Sequence, residues 1–438
     1  MEGLKIGLVS LGCNKNRVDS EIALGLLQDH GCSFTPDPAQ ADILMVNTCG
    51  FIGPAKEESI DTILEMAQYK QTGHCRLLVV TGCLAQRYEQ ALMEDMPEID
   101  VLLGVNQYDR LPAAIARALE TGERVASVED PRQFYEHRRI LTTPSYSAYV
   151  RIGEGCSNRC TFCAIPLIRG NYRSRNASDI LNEVRSLASR GVTEHVLVAQ
   201  DTTRYGTDQG RHTLLPELMR QCADIEGVHW LRVLYCYPDE TNEALLDLMA
   251  THPHVCPYLD LPIQHIDDDI LRRMHRRGTS EDIRRCVRLA HERNITLRTS
   301  IIVGFPGETE DQFSRLLDFL EEAQFDRLGA FAYSPEEGTP AADMPDQVPE
   351  EIKQERLDRL MTLQSRISLS RNQQRVGTRT EVLVTGQRDG CYLGRSVREA
   401  PETDGEILFT SSQPLQEGTY VQVSLDRADT YDMWGTCL

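Results

Sequence analysis

Residues 147–166 read SAYVRIGEGCSNRCTFCAIP. The first half is a short run of β-branched, aromatic and small residues, a strand in sequence terms, and it empties into three cysteines, Cys156, Cys160 and Cys163, spaced C-x3-C-x2-C. Three thiolates this close can hold three irons of a cubane cluster and leave the fourth iron without a protein ligand. An open iron makes such a site a reaction centre instead of a simple electron carrier. Gly153 and Gly155 permit a tight loop, and the aromatic Phe162 stands just before the last cysteine. A zinc site or three incidental buried cysteines are the alternatives; zinc ordinarily takes a fourth Cys or His at matching spacing, and none follows Cys163 within the loop.

Outward from this motif the chain keeps one rhythm. Strand runs recur at EHVLVAQD (194–201), HWLRVLYCYP (229–238), YLDLPIQH (258–265), TLRTSIIVGFPGE (296–308) and FDRLGAFAYSP (325–335), with helical patterns such as ASDILNEVRSLASRG (177–191) and SEDIRRCVRLAHERN (280–294) between them. Six βα units are too few for a complete eight-fold barrel, which typically needs about 250 residues, so a partial barrel open on one side is expected. Upstream, KIGLVSLG (5–12), ADILMVNT (41–48), CRLLVVTG (75–82) and DVLLGV (100–105) alternate with amphipathic stretches, the beat of an open parallel sheet. Downstream, the acidic, Pro-rich SPEEGTPAADMPDQVPEE (334–351) ends the βα series and a long linking helix follows. The period then changes to two, in short runs broken by Gly, Asp and Pro, which predicts a small all-β barrel. The expected fold is therefore an α/β chain of three domains: an N-terminal open parallel α/β sheet over 1–135, a central partial (β/α)6 barrel with its linking helix over 142–371, and a C-terminal small all-β barrel over 372–438.

The 438 residues carry a net charge of −20, with 41% apolar and 26% charged residues, which excludes disordered and fibrous classes and leaves material for several cores. That charge repels phosphate backbones and attracts a basic partner. No window approaches the roughly 18 uninterrupted apolar residues of a membrane span, and no basic leader opens the chain. Fourteen cysteines, too few for a disulfide scaffold, read as reduced thiols in a cytoplasmic protein without membrane contact.

Cys13, Cys49 and Cys83 lack local metal-binding spacing, but each directly follows an apolar run: LVSLGC, LMVNTC and LVVTGC. If those runs are parallel strands, the three sulfurs emerge together at the carboxyl edge of one sheet, where such sheets bind ligands. Chance placement is the alternative, and the other cysteines act as controls: Cys75 lies at the opposite end of its run, Cys32 follows a helix, and Cys222 and Cys286 sit in helical patterns.

The C-x3-C-x2-C loop on the first strand of a partial barrel resembles the radical S-adenosylmethionine superfamily. With the second triplet and the terminal barrel, the whole chain resembles that superfamily's methylthiotransferase family, on the segments SLGCNKNRVDSE, NTCGFI, TGCLAQRY, GCSNRCTFCAIP, LPIQH and IIVGFPGET. The resemblance implies two 4Fe-4S clusters, one on Cys156, Cys160 and Cys163 and one on Cys13, Cys49 and Cys83. It also implies S-adenosylmethionine as both radical source and methyl donor, an external one-electron reductant, and a terminal barrel of the TRAM type. Cofactor contacts are expected at Phe162, at Gln200 and Asp201, at Gln264, and at Gly304 in the glycine-bearing strand. A capped strand-to-helix turn is the other reading of Gln200 and Asp201. His265 reads equally as a hydrogen-bonded core residue or a cofactor contact, and RRMHRR (272–277) as a solvated basic helix face before a carboxylate site. No side chain is assigned a catalytic role, because a radical abstracts the hydrogen.

Family branches modify an aspartate of small-subunit ribosomal protein twelve or an adenosine of transfer RNA. The opening SLGCNKNRVDSE resembles the ribosomal-protein branch. Residues 372–438 add a second line: six Lys or Arg against ten Asp or Glu, a net −4 suited to a basic protein and not to RNA, with a merely solvated surface as the other reading, since net charge hides local patches. The expected substrate is the ribosomal protein, modified on the aspartate β-carbon, with transfer RNA as the alternative.

Overall fold

The computed structural model describes residues 1–129, 138–210 and 212–438; the expected domain boundary at 135 lies outside the described residues. In the N-terminal sheet the strands Ile43–Thr48 and Leu77–Gly82 are buried at every position. Their sequences, ILMVNT and LLVVTG, have no polar alternation, so both faces need cover, as in parallel sheets generally. Parallel pairing of Leu44 with Leu78 and Met45 with Val79 stacks like residues across the sheet. Met45, Val79 and Leu103 then meet Leu27 and Ile115 on one face, while Leu44, Leu78 and Leu102 meet Ile63 and Leu84 on the other. Each such side chain contributes roughly 1.5–3 kcal/mol by burial. The sheet has six strands instead of the four expected, in the order Ser33–Phe34, Lys5–Ser10, Ile43–Thr48, Leu77–Gly82, Val101–Leu103, Val125–Ser127. The two extra edge strands are two and three residues long, too short to carry a period.

Six parallel strands form the central partial barrel: Ser147–Arg151, Glu194–Val198, Trp230–Val233, Tyr258–Asp260, Thr296–Val303 and Arg327–Ala332. They make two three-stranded arcs that meet at a single parallel bridge between Leu231 and Val255. Alternate residues face outward, where Val150, Leu197, Leu231, Leu259 and Leu297 pack under helices. The intervening Tyr149, Val196, Val198, Trp230 and Tyr258 fill the interior. Thr279 and Thr309 start two of the covering helices, Ser280–Glu292 and Glu310–Ala323, with complete capping boxes. At one edge of the open side the N-terminal helix Asn14–Asp29 lays Val18 and Ile22 against Tyr146 and Tyr149. At the other, Leu360, Leu363 and Ile367 of the linking helix Glu350–Gln373 close over the core beside Leu328 and Ala330.

Five strands close the terminal barrel around Val382, Val384, Ile407, Phe409, Val423 and Leu425. Its loop 396–406 enters the amino-terminal mouth of the central barrel. There Arg232 donates to the Val397 carbonyl (2.9 Å), the Tyr258 hydroxyl donates to Asp404 (2.6 Å), and Ala400 is buried beside Leu383. The interior is plugged from below, which leaves the carboxyl edges of the strands as the face on which ligands can act.

This packing also turns part of the barrel's charge inward. Glu399 is buried between Arg327 and Arg375, Asp404 is buried at Tyr258, Glu402 pairs with Arg17 (2.9 Å), and Glu381 bonds His229 (2.8 Å). Bases of the same barrel turn inward too, Arg395 onto Glu194 (2.7 Å), Arg375 onto Glu399 (2.6 Å) and Arg398 onto Thr296 (3.0 Å), so the outer surface keeps a surplus of acids.

Candidate functional site

Cys13, Cys49 and Cys83 follow three strands that are neighbours in the sheet, Lys5–Ser10, Ile43–Thr48 and Leu77–Gly82. In-register parallel pairing aligns the strand ends, Ser10 with Asn47 and Thr48 with Gly82, so the three thiols do emerge along one edge. Close approach there depends on glycine. Any side chain at Gly12 (φ +86°) would put its Cβ 3.0 Å from Cys49 Cβ and 3.2 Å from Cys49 Sγ, and one at Gly50 would lie 2.8 Å from the Leu84 nitrogen. Cys13 is accessible, Cys49 half-buried and Cys83 buried.

In the second triplet the Cys156 N–H bonds the Gly170 carbonyl (3.0 Å) and the Cys163 N–H bonds that of Cys160 (3.0 Å), which folds the loop back on itself. Cys156 and Cys160 are buried and Cys163 is half-buried. Among the described residues no three Cys, His, Asp or Glu side chains converge as a single metal ion would require. A cubane binds each thiolate through a different iron and needs no such convergence, so three thiols at a glycine-lined edge and three in a folded loop fit a cluster at each position.

Electrostatics distinguishes the thiols. Burial pushes Cys83 up to about 12 even with Arg169 beside it, and burial likewise raises Cys156 to about 12 and Cys49 upward. Cys13 goes the other way: although its side chain is open to solvent, the surrounding protein desolvates it and opposes ionisation, but the charges of Lys15 and Arg169 with the N–H groups of Asn16 and Lys15 outweigh this and lower the thiol below its ordinary value.

The two triplets abut. Helix Ile165–Arg169 starts two residues after Cys163, and its Ile168, with Ala164, packs on Cys83. From the same helix Arg169 donates to Cys83 Sγ (3.5 Å) and to Asn16 Oδ1 (2.6 Å). It also joins a buried ring of four charges. Asp19 accepts from Arg151 (2.5 Å) and Arg169 (2.9 Å), and Glu154 accepts from Arg151 (3.0 Å) and Arg169 (3.0 Å). All four side chains are at most 2% exposed. Burial opposes the charge on Glu154, yet Arg169 and Arg151 hold its carboxyl down at about 2. Removing one partner from such a ring costs about 3–5 kcal/mol, because the others stay buried and underpaired. A second clamp lies on the far side of Cys49. Glu336, buried, accepts from the Gly53 N–H (2.8 Å), Lys56 (2.8 Å) and Arg87 (3.2 Å), and Arg87 also holds the Gly50 carbonyl (3.0 Å).

The expected cofactor residues fall in different surroundings. Gln200 donates to Glu154 (2.6 Å), and its own Oε1 is buried with no partner among the described residues. Asp201 accepts from Asn158 of the cysteine loop (2.7 Å), Thr203 (2.6 Å) and Arg277 (3.3 Å), and burial raises its carboxyl. It makes no side-chain cap on the turn that follows, so the capped-turn reading does not hold. Phe162 packs with Ile270, Met274, Phe305 and Tyr333. Gln264 (φ +70°) bridges to Ile301 through its backbone. Gly304 is set apart from these: Lys353 of the linking helix fills the space its Cβ would take (2.3 Å), and its N–H goes to Glu308 (2.6 Å). His265 is a buried neutral imidazole. Its Nδ1 accepts from the Asp267 N–H (3.0 Å), Nε2 has no partner among the described residues, and burial lowers the ring to about 3.

Sequence reasoning misread RRMHRR and overlooked the ion ring. Arg272 is solvated as expected, but Arg276 is buried over the Tyr237 ring (4.1 Å) and 3.7 Å from Cys160 Sγ, while Arg277 pairs with Asp201 and Asp239. For the ring, the available signal was Arg151 and Glu154 inside an otherwise apolar strand run; Asp19 and Arg169 gave none.

Residues 150–320 match the radical SAM superfamily, residues 5–104 the uncharacterized protein family UPF0004, and residues 376–438 the TRAM domain. The chain is 52% identical over 437 residues to the ribosomal protein uS12 methylthiotransferase RimO of Desulforamulus reducens, with 98% of each chain covered. It is 49% identical over 438 residues to the protein of that name from Clostridium botulinum, covering 99% of this chain and 98% of the other. Among solved structures, the radical S-adenosylmethionine methyltransferase TsrM from Kitasatospora setae, with cobalamin and a [4Fe-4S] cluster bound, superposes with a TM-score of 0.57 at 16% identity. That likeness covers 90% of this chain and 81% of TsrM and is one of fold.

Proposed function

This chain belongs to the RimO family of ribosomal protein uS12 methylthiotransferases, and on that premise we propose that it attaches a methylthio group to the β-carbon of an aspartate in uS12. Two 4Fe-4S clusters and S-adenosylmethionine, when bound, supply the electron, the carbon radical, the methyl group and the sulfur. Cys156, Cys160 and Cys163 hold one cluster, and Cys13, Cys49 and Cys83 the other. Gln200 and Asp201, with Phe162 and Gln264, line the S-adenosylmethionine side, and Gly304 lets the linking helix close behind it.

The observation that carries this reading is the contact of Cys83 with Ala164 and Ile168, directly after Cys163. Sulfur transfer to carbon needs both centres at one cavity, and here a single short helix separates them. Residues 1–135, 142–371 and 372–438 then act as cluster domain, radical core and TRAM domain. The ion ring and the Glu336 clamp fix the first against the second, and the 396–406 loop excludes water from below. No helix among the described residues is long and apolar enough to cross a membrane, and a cytoplasmic site of action with an external one-electron reductant belongs to the same reading.

The test is to incubate the reconstituted, reduced protein with uS12 and, separately, with transfer RNA, and to weigh both. A gain of one methylthio group on an aspartate of uS12 is expected; a gain on transfer RNA alone would overturn the proposal.

A further inference from the structure

Lys15 is buried with no carboxylate partner among the described residues, and the only acidic groups beside it are the Cys13 thiol and the Tyr235 hydroxyl. It lies two residues after Cys13 in the first turn of helix Asn14–Asp29, is 7% exposed, and holds its Nζ 3.4 Å from the centroid of the Tyr235 ring. Among the described residues no carboxylate comes within 4.0 Å of that ammonium. Other buried cations of the chain are matched: Arg139 with Glu21, Arg151 and Arg169 with Asp19 and Glu154, Arg395 with Glu194, Lys353 with Glu350. Arg276, which has no carboxylate, donates instead to the Pro262 carbonyl and to Cys160.

The position of Lys15 says what it faces. Tyr235 and Tyr237 lie at the carboxyl end of strand Trp230–Val233, the ligand face of the barrel. Tyr237 is stacked with Arg276 at the Cys160 side. Tyr235 is held on the opposite side, in a left-handed backbone conformation (φ +64°), by its hydroxyl bond to Asn14 Oδ1 (2.9 Å), next to Cys13. Residues 235–237 thus reach from one cysteine triplet to the other, and Lys15 stands over the end nearest Cys13. A substrate carbon held along residues 235–237, between the two triplets, lies beside this ammonium.

We propose that Lys15 is a specificity residue that pairs with the carboxylate of the substrate's reacting side chain and so holds the adjacent carbon between the two triplets. The inference rests on the reading of an aspartate substrate. A charged hydrogen bond formed away from water is worth far more than the same bond in solvent, whereas a side-chain amide gives Lys15 no charge to neutralise. Tyr235 acts through Lys15, as the platform that keeps the ammonium extended.

The test uses the reconstituted full-length protein and two forms of uS12, one natural and one with the modified aspartate changed to Asn. The wild type should bind the Asp form about ten- to a hundred-fold more tightly than the Asn form, the size expected for one charge-assisted hydrogen bond. Lys15→Met should bind both forms equally, at the wild type's affinity for the Asn form, and Lys15→Arg should restore part of the preference. Iron content and the electron paramagnetic resonance spectrum of each cluster are recorded for every variant. Lys15→Met that keeps the Asp preference overturns the proposal. So does a changed spectrum of the cluster on Cys13 with the Asp preference intact, which would make Lys15 a counter-ion of the cluster. If the wild type binds neither form of uS12, the aspartate reading itself fails, and this assignment fails with it.

Discussion

Replacing Glu154 by Gln keeps the shape of the buried ion ring and removes one of its two negative charges. The carboxyl sits at about 2 in the folded chain against an ordinary value of 4.5. At about 1.36 kcal/mol per pH unit, that gap corresponds to roughly 3 kcal/mol of stability at neutral pH. The figure agrees with the roughly 3–5 kcal/mol lost when one partner of a buried charge network is removed. The sign follows from the depressed value: the contribution is complete above pH 4.5, where the unfolded carboxylate is ionised, and disappears as pH falls through about 2. Because the ring joins the N-terminal helix to the barrel, the loss should appear locally, as amide hydrogen exchange in Asn14–Asp29 and Ile165–Arg169. At pH 7, exchange from these two helices should be about a hundred-fold faster in Glu154→Gln than in the wild type, while the terminal barrel strands are unaffected. The difference should narrow when the comparison is repeated at pH 3. Equal exchange at pH 7, or a difference independent of pH, would mean that the ring does not hold the two domains together.

Changing Cys156, Cys160 and Cys163 together to Ala should halve the iron of the reconstituted chain from about eight to about four and abolish S-adenosylmethionine cleavage; the triple change at Cys13, Cys49 and Cys83 should also halve the iron but leave that cleavage, as iron analysis and product chromatography would register. In the cluster-free chain at pH 7, iodoacetamide should label Cys13, accessible and lowered by Lys15 and Arg169, well before Cys83, which is buried and raised to about 12; peptide mass spectrometry reads the order. Asp404→Lys should unfold the junction of the two barrels, since Asp404 is buried against Tyr258 and near Arg298, whereas Glu406→Lys, which loses only a solvated pair with Arg388 (3.4 Å), should cost no more than about 1 kcal/mol, both followed by urea denaturation.

Much of the architecture was legible because it rests on local periods. ILMVNT and LLVVTG could be placed as buried parallel strands because they lack polar alternation, and C-x3-C-x2-C could be read as a cluster loop because its three ligands lie within eight residues. Even the dispersed triplet could be found, since strand ends are predictable and parallel register turns equal position along a strand into proximity in space. What the tertiary structure alone decided is which isolated charges meet. Asp19 and Arg169 are 150 residues apart, and Glu336 reaches Arg87 across 249, so no spacing announces either contact. The stretch 272–277 read as a solvated helix face because its composition is basic, yet the helix ends at Arg273 and the turn after it sets Arg276, buried, over Tyr237 at the second cysteine of the loop. The barrel's −4 could be counted from the sequence, but only the fold shows which charges turn inward, Glu399 and Asp404 among the acids and Arg375 and Arg395 among the bases. Burial of apolar residues is written along the chain as a period; the pairing of single charges depends on desolvation and on distances of a few ångströms, which exist only once the domains have docked.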